Sequence, residues 1–138
     1  MQAASKTRKV LLIESEPAAR EVLQVLVDNL GCHGEVVEDG RQAMATVRSE
    51  DFDAVLLDLR SSAIPPEEVV SGIHHIRPSL VGRVLVITGE VDDQGTLELV
   101  ERYFLLQIRR NRLSFDLAGR LRALLRIAPL RSPSLRID

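Results

Sequence analysis

Three short aliphatic runs constrain this chain more than any other feature: VLLI at residues 10–13, AVLL at 54–57 and VLVI at 84–87. None alternates apolar with polar. A strand that is covered on one face alternates; a strand buried on both faces is apolar throughout, as in a parallel sheet with helices on each side. The segments between the runs have the other period. Ala19, Val22, Leu23, Leu26, Val27 and Leu30 recur at three and four residues, which is one face of a helix. Ser15-Glu16-Pro17 reads as that helix's start, with Ser15 as a small polar cap, and Gly31 suits its end.

The rest of the chain repeats this alternation. Residues 35–37 form a weaker strand. Asp39-Gly40 marks a turn, and Ala43, Met44 and Val47 mark a short helix. Pro65-Pro66-Glu67-Glu68 opens a helix whose apolar side is Val69, Val70, Ile73 and Ile76. Leu97, Leu99 and Val100 suggest a fourth helix, and residues 104–108 a fifth strand. Leu117, Leu121, Leu124 and Leu125 make a last helix, with Asp116 near its N-terminus. Strands and helices alternate five times, so the expected fold class is α/β: a doubly wound, five-stranded parallel sheet with helices on both faces, flavodoxin-like.

Composition narrows the functions open to such a fold. Aromatic residues make up 3% of the chain and there is no Trp, so the core is aliphatic and stacking on nucleic-acid bases is not expected. One cysteine, Cys32, excludes an internal disulfide and a cysteine-rich zinc site. The apolar run at 10–13 is too short for a signal-peptide core or a membrane span, and a cytoplasmic protein without membrane association is expected. Residues 1–100 hold 9 Lys/Arg against 17 Asp/Glu, and residues 101–138 hold 9 Arg against 3 acids. This asymmetry reads either as a solvated arginine-rich last helix or as a basic contact surface. His74-His75 in mid-helix share no face, and His33 has no partner at ligand spacing, so neither is assigned a metal.

In doubly wound sheets ligands bind beyond the carboxyl ends of the strands. The residues there are Glu14, Ser15 and Glu16 after the first strand, Asp58 after the third and Thr88 after the fourth. Carboxylates from adjacent strands are oxygen ligands suited to a hard divalent cation. An aspartate can accept a phosphoryl group as an acyl phosphate, with the cation neutralising charge. A hydroxyl on the next strand can then bond the added oxygens.

The stretches KVLLIESEPAAREVLQVLVDNLG, DFDAVLLDLR and RVLVITG resemble the receiver domain of response regulators in two-component signalling. The resemblance covers residues 8–127, with 128–138 expected to be a mobile C-terminal tail and no second domain after it. Glu14 to Asp58 spans 44 residues and Asp58 to Thr88 spans 30, close to the family's spacing.

The resemblance implies that Asp58 is the phosphoacceptor and Thr88 the switch hydroxyl. It puts magnesium at Glu14, Asp58 and the backbone carbonyl of Arg60. The family's phosphate-binding lysine falls at Arg110 when counted from Thr88, or at Gln107 when the FLLQ strand is aligned. The family's fifth-strand aromatic falls at Tyr103 or Phe104. The implied partners are a histidine kinase or phosphotransfer protein and a downstream effector protein, with a homodimer as a further option; nucleic acid is not an expected partner. No enzymatic activity is implied beyond self-phosphorylation and autodephosphorylation.

The chain departs from the family at three points. Ser15 stands where a second acid is usual, the proline four residues after the acceptor is missing, and Arg60 brings a cation to where metal is held. These departures support an alternative: a pseudo-receiver, the same fold acting as a phosphorylation-independent interaction module.

Overall fold

The computed structural model describes residues 7–61 and 64–126. Five parallel strands form one sheet: β1 (Lys9–Ile13), β2 (His33–Val37), β3 (Ala54–Asp58), β4 (Val84–Thr88) and β5 (Leu106–Arg109), in the order β2-β1-β3-β4-β5. Five helices connect and follow them: α1 (Pro17–Asp28), α2 (Gly40–Ser49), α3 (Pro66–Ile76), α4 (Gln94–Tyr103) and α5 (Leu113–Leu125). The doubly wound flavodoxin-like sandwich expected from the sequence is the fold observed.

Side chains alternate across the sheet and build two aliphatic layers. Leu11, Ile13, Val55, Leu57, Val84 and Val86 face α2, α3 and α4, where they meet Ala43, Val47, Val69, Val70, Ile73 and Leu99. Val10, Leu12, Ala54, Leu56, Leu85 and Ile87 face α1 and α5 and pack on Leu23, Val27, Leu117, Leu121 and Leu125. Every residue of β3 and β4 is buried, which is why these strands carry no alternation. Cys32 is buried in the second layer, and burial pushes its thiol pKa up, in keeping with a packing role.

Several element ends differ from the sequence reading. Asp39 is more than a turn residue. Its carboxylate accepts hydrogen bonds from Arg41 N at 2.9 Å and Gln42 N at 3.1 Å, and so caps α2. The cap position of α1 belongs to Glu16 and carries no side-chain cap bond; Ser15 is used elsewhere. The second strand begins two residues earlier than expected, at His33. The fifth begins two residues later. Phe104 ends α4 with a left-handed backbone at φ 54°, so residues 104 and 105 are a helix exit and not strand. The fifth-strand aromatic is therefore absent: Tyr103 is the last residue of α4, its ring edge-on to His74, and Phe104 is 87% exposed. Gly31 has φ 76° just past α1, a conformation that favours glycine.

Candidate phosphoacceptor site

The register of the sheet brings Glu14, Asp58 and Thr88 together. Ile13 lies beside Leu57, and Asp58 beside Ile87, so the three polar residues sit together at the carboxyl ends of adjacent strands. All three are buried, at 2%, 1% and 3% exposure. Each polar group there needs an internal partner.

Asp58 has several. The Arg60 backbone N–H donates to its Oδ1 at 2.9 Å, and Arg60 Nη2 to Oδ2 at 3.3 Å. Arg110 Nη2 donates to Oδ1 at 2.6 Å. Burial opposes ionisation of Asp58, but the neighbouring Glu14 carboxyl and the hydrogen bonds from Arg60, together with the Arg110 charge, outweigh it and lower the pKa from the ordinary carboxylate value. Glu14 is shifted the other way: burial raises its pKa, and the neighbouring Asp58 adds to the rise. Of the two, Glu14 is thus the carboxyl more readily protonated.

Ser61 completes this corner, and nothing in the sequence marked it. It is fully buried, donates to Glu14 Oε2 at 2.8 Å, accepts from Ser15 N at 2.8 Å, and its Oγ lies 3.1 Å from Ser15 Oγ. The only sequence signal was its place three residues after Asp58, in a loop that must turn back over the strand end. Ser61 N donates to Asp58 O at 2.8 Å, which makes that turn.

Thr88 lies in a second polar group with Gln107, whose other members, Arg109 and Asp92, the sequence left unmarked. Gln107 Nε2 donates to Thr88 Oγ1 at 3.0 Å and Arg109 Nη1 at 3.3 Å. Arg109 holds Asp92 through both nitrogens, at 2.5 and 3.1 Å, and also donates to Gly89 O at 3.0 Å. These bonds from Arg109 and Gln107 keep the Asp92 carboxylate pKa low. The two candidate lysine positions therefore go to different places: Arg110 to Asp58, Gln107 to Thr88. Arg110 Nε is buried and has no hydrogen-bond partner among the described residues. A cleft of about 540 Å³ borders the site, lined by Arg60, Thr88, Gly89, Asp92 and Arg110 among others.

The receiver family binds magnesium in this region of the fold, so the fit of these residues to a divalent cation matters. Glu14 and Asp58 are two carboxylates, and among the described residues no group of three or more His, Cys, Asp or Glu side chains converges. Ser15 adds no charge and its hydroxyl is engaged with Ser61. Both Asp58 oxygens already accept guanidinium hydrogen bonds. Magnesium takes hard oxygen ligands and needs their negative charge. Two guanidinium groups on Asp58, beside an uncharged Ser15, do not fit it.

His74 and His75 are exposed in α3 and distant in role from the site, and His33 opens β2. The 128–138 segment lies outside the described residues. Among the described residues no helix is long and apolar enough to cross a membrane.

Comparison with known proteins agrees with this fold. A model of the response regulator receiver domain matches residues 10–104. The chain is 30% identical to the transcriptional regulatory protein TcrA of Mycobacterium tuberculosis over 142 residues, covering 94% of this chain and 53% of that protein. It is 30% identical to a response regulator receiver protein of Anaeromyxobacter over 101 residues, covering 73% of this chain and 41% of that protein. The chain thus spans about half the length, or less, of these curated relatives.

Among solved structures, the fold is similar to the receiver domain of a sensor histidine kinase from Pseudomonas aeruginosa. The TM-score is 0.71 at 23% identity, covering 88% of this chain and 97% of that one, and that structure holds a magnesium ion in its active-site cleft. A response regulator from Chloroflexus aurantiacus superposes with a TM-score of 0.78 at 14% identity, covering 88% and 99%. By its sequence match and by its fold, the chain belongs to the response regulator receiver domain family of two-component signalling.

Proposed function

We propose that this receiver takes a phosphoryl group on Asp58 from a histidine kinase or a phosphotransfer protein, and that the change is read by an effector protein. One observation carries the reading. The Asp58 carboxyl ends the central strand with Arg110 Nη2 at 2.6 Å, and Thr88 ends the adjacent strand. In the transfer, an Asp58 oxygen attacks phosphorus as the bond from phosphorus to the donor's nitrogen or oxygen breaks. No oxidant or further reactant is needed. Arg110 and Arg60 are placed to bond the phosphoryl oxygens, as guanidinium forks do for phosphate. Thr88 supplies the hydroxyl that registers the added group, by giving up its bonds to Gln107 and Arg109.

A second reading is favoured by a specific observation. Each Asp58 oxygen already accepts a guanidinium hydrogen bond in the unmodified protein, an internal neutralisation that fits a phosphorylation-independent interaction module. Incubation with acetyl phosphate, read by intact mass, separates the two. The first reading expects a single phosphoryl adduct that is lost in Asp58→Asn. No adduct, under conditions that modify a control receiver, would establish the second and remove the first. The kinase, the effector and any homodimer belong to the same proposal, supported by family membership.

A further inference from the structure

We infer that the Arg60 guanidinium is the resident cation of the Asp58 pocket, and that its presence keeps a divalent metal out. Arg60 binds Asp58 twice, by its backbone N–H at 2.9 Å and by Nη2 at 3.3 Å. The same Nη2 lies 3.9 Å from Glu16 Oε2. The side chain therefore spans from the loop after β3 to the loop after β1, the two loops that flank the acidic corner. Glu16, which directly follows the missing charge at Ser15, faces this guanidinium.

The other groups around the corner are committed in the same sense. Glu14 Oε2 accepts from Ser61 Oγ at 2.8 Å and from Glu16 N at 3.3 Å. The Ser15 hydroxyl is 3.1 Å from Ser61 Oγ. Arg110 adds a second positive charge at 2.6 Å from Asp58. Asp58 is already faced by two guanidinium groups, and Glu16 by one of them. A doubly charged ion would meet like charge on both sides of Asp58 and would have to displace Arg60. The Arg60 side chain is 52% exposed, so its removal leaves the core intact.

The inference concerns the same site as the proposed phosphoryl transfer, but its test uses no phosphodonor, so the two fail separately. Mn²⁺ is titrated into ¹⁵N-labelled protein, and paramagnetic broadening of the amides of Leu59, Ser61 and Gly89 is followed. Five proteins are compared: wild type, Arg60→Ala, Arg60→Lys, Ser15→Asp and the double variant of Arg60→Ala with Ser15→Asp. Dispersed amide spectra in each confirm folding. Wild type is expected to show no site-specific broadening at Mn²⁺ concentrations that broaden a control receiver. Removing Arg60 is expected to tighten Mn²⁺ binding by about tenfold or more in at least one of the two Ser15 backgrounds. Arg60→Lys, which keeps the charge, is expected to behave as wild type. Site-specific broadening in wild type would overturn the inference. So would a removal of Arg60 that changes affinity in neither background.

Discussion

The Glu14 carboxyl is buried beside a more acidic neighbour, and its charge costs the folded protein something that the unfolded chain does not bear. Burial and then Asp58 raise its pKa in the folded state. A raised carboxyl binds its proton more tightly when folded, so it favours the fold at pH below the unfolded value, and that contribution is lost as pH rises through the folded value. Asp58, with its lowered pKa, contributes in the opposite direction, and is lost as pH falls. Comparing Glu14→Gln with wild type isolates Glu14. The amide keeps an acceptor for Ser61 and removes the ionisation. Glu14→Gln is expected to match wild type near pH 4, about the unfolded glutamate pKa, and to be more stable by a margin that grows toward pH 8. Urea unfolding at a series of pH values reads this. A variant less stable than wild type at every pH would show that Glu14 is held as a needed charge. At this scale the sequence was partly legible. Acids and hydroxyls that follow apolar runs could be found by counting. Ser61 and the Asp92–Arg109 pair could not, because their roles depend on how two loops fold back over the strand ends.

Elements were legible in proportion to their burial. β1, β3 and β4 lie inside the sheet, and uninterrupted aliphatic runs announced them. β2 and β5 lie at the edges, with only Val37 and Ile108 buried, so their ends were read two residues off. Phe104 was expected to open the fifth strand, but the backbone there leaves α4 through a left-handed residue. The same dependence on packing appears where α2 meets α3. Gly40 opens α2, and a Cβ built on it would lie 2.5 Å from Val69 Cγ2 and 2.9 Å from Ile64 Cγ1. Neither neighbour is the loose end of a long chain: Val69 is buried in α3, and Ile64 packs on the same layer. Gly40→Ala is therefore expected to destabilise by about 1–3 kcal/mol, through overpacking, despite alanine's better helix propensity. Chemical denaturation measures it. A neutral or stabilising result would mean that α3 can shift away at little cost.

Across the whole molecule, the two aliphatic layers share one sheet, and that coupling fixes where the folding unit ends. The layer under α1 and α5 closes with Leu117, Leu121 and Leu125, all buried against β1, β3, β4 and β5 residues. The opposite layer closes with Leu99 and Leu105. Among the described residues, each face of the sheet is covered by a buried aliphatic layer. Arg112 pairs with Asp116 at 3.3 Å and Arg120 donates to Gln107 O at 2.9 Å, so part of the basic excess after residue 100 is already committed within the fold. We therefore propose that residues 8–127 are a complete folding unit and that 128–138 add little to its stability. A chain that ends at residue 127 is expected to unfold in one cooperative transition, with a free energy within about 0.5 kcal/mol of the full chain, the range of changes that touch no core. The two layers cannot melt separately, because each loses its floor when the sheet goes. Coincident urea transitions by far-ultraviolet circular dichroism and by Tyr103 fluorescence would support this. A loss of several kcal/mol on truncation, or two separate transitions, would show that residues beyond 127 complete the core.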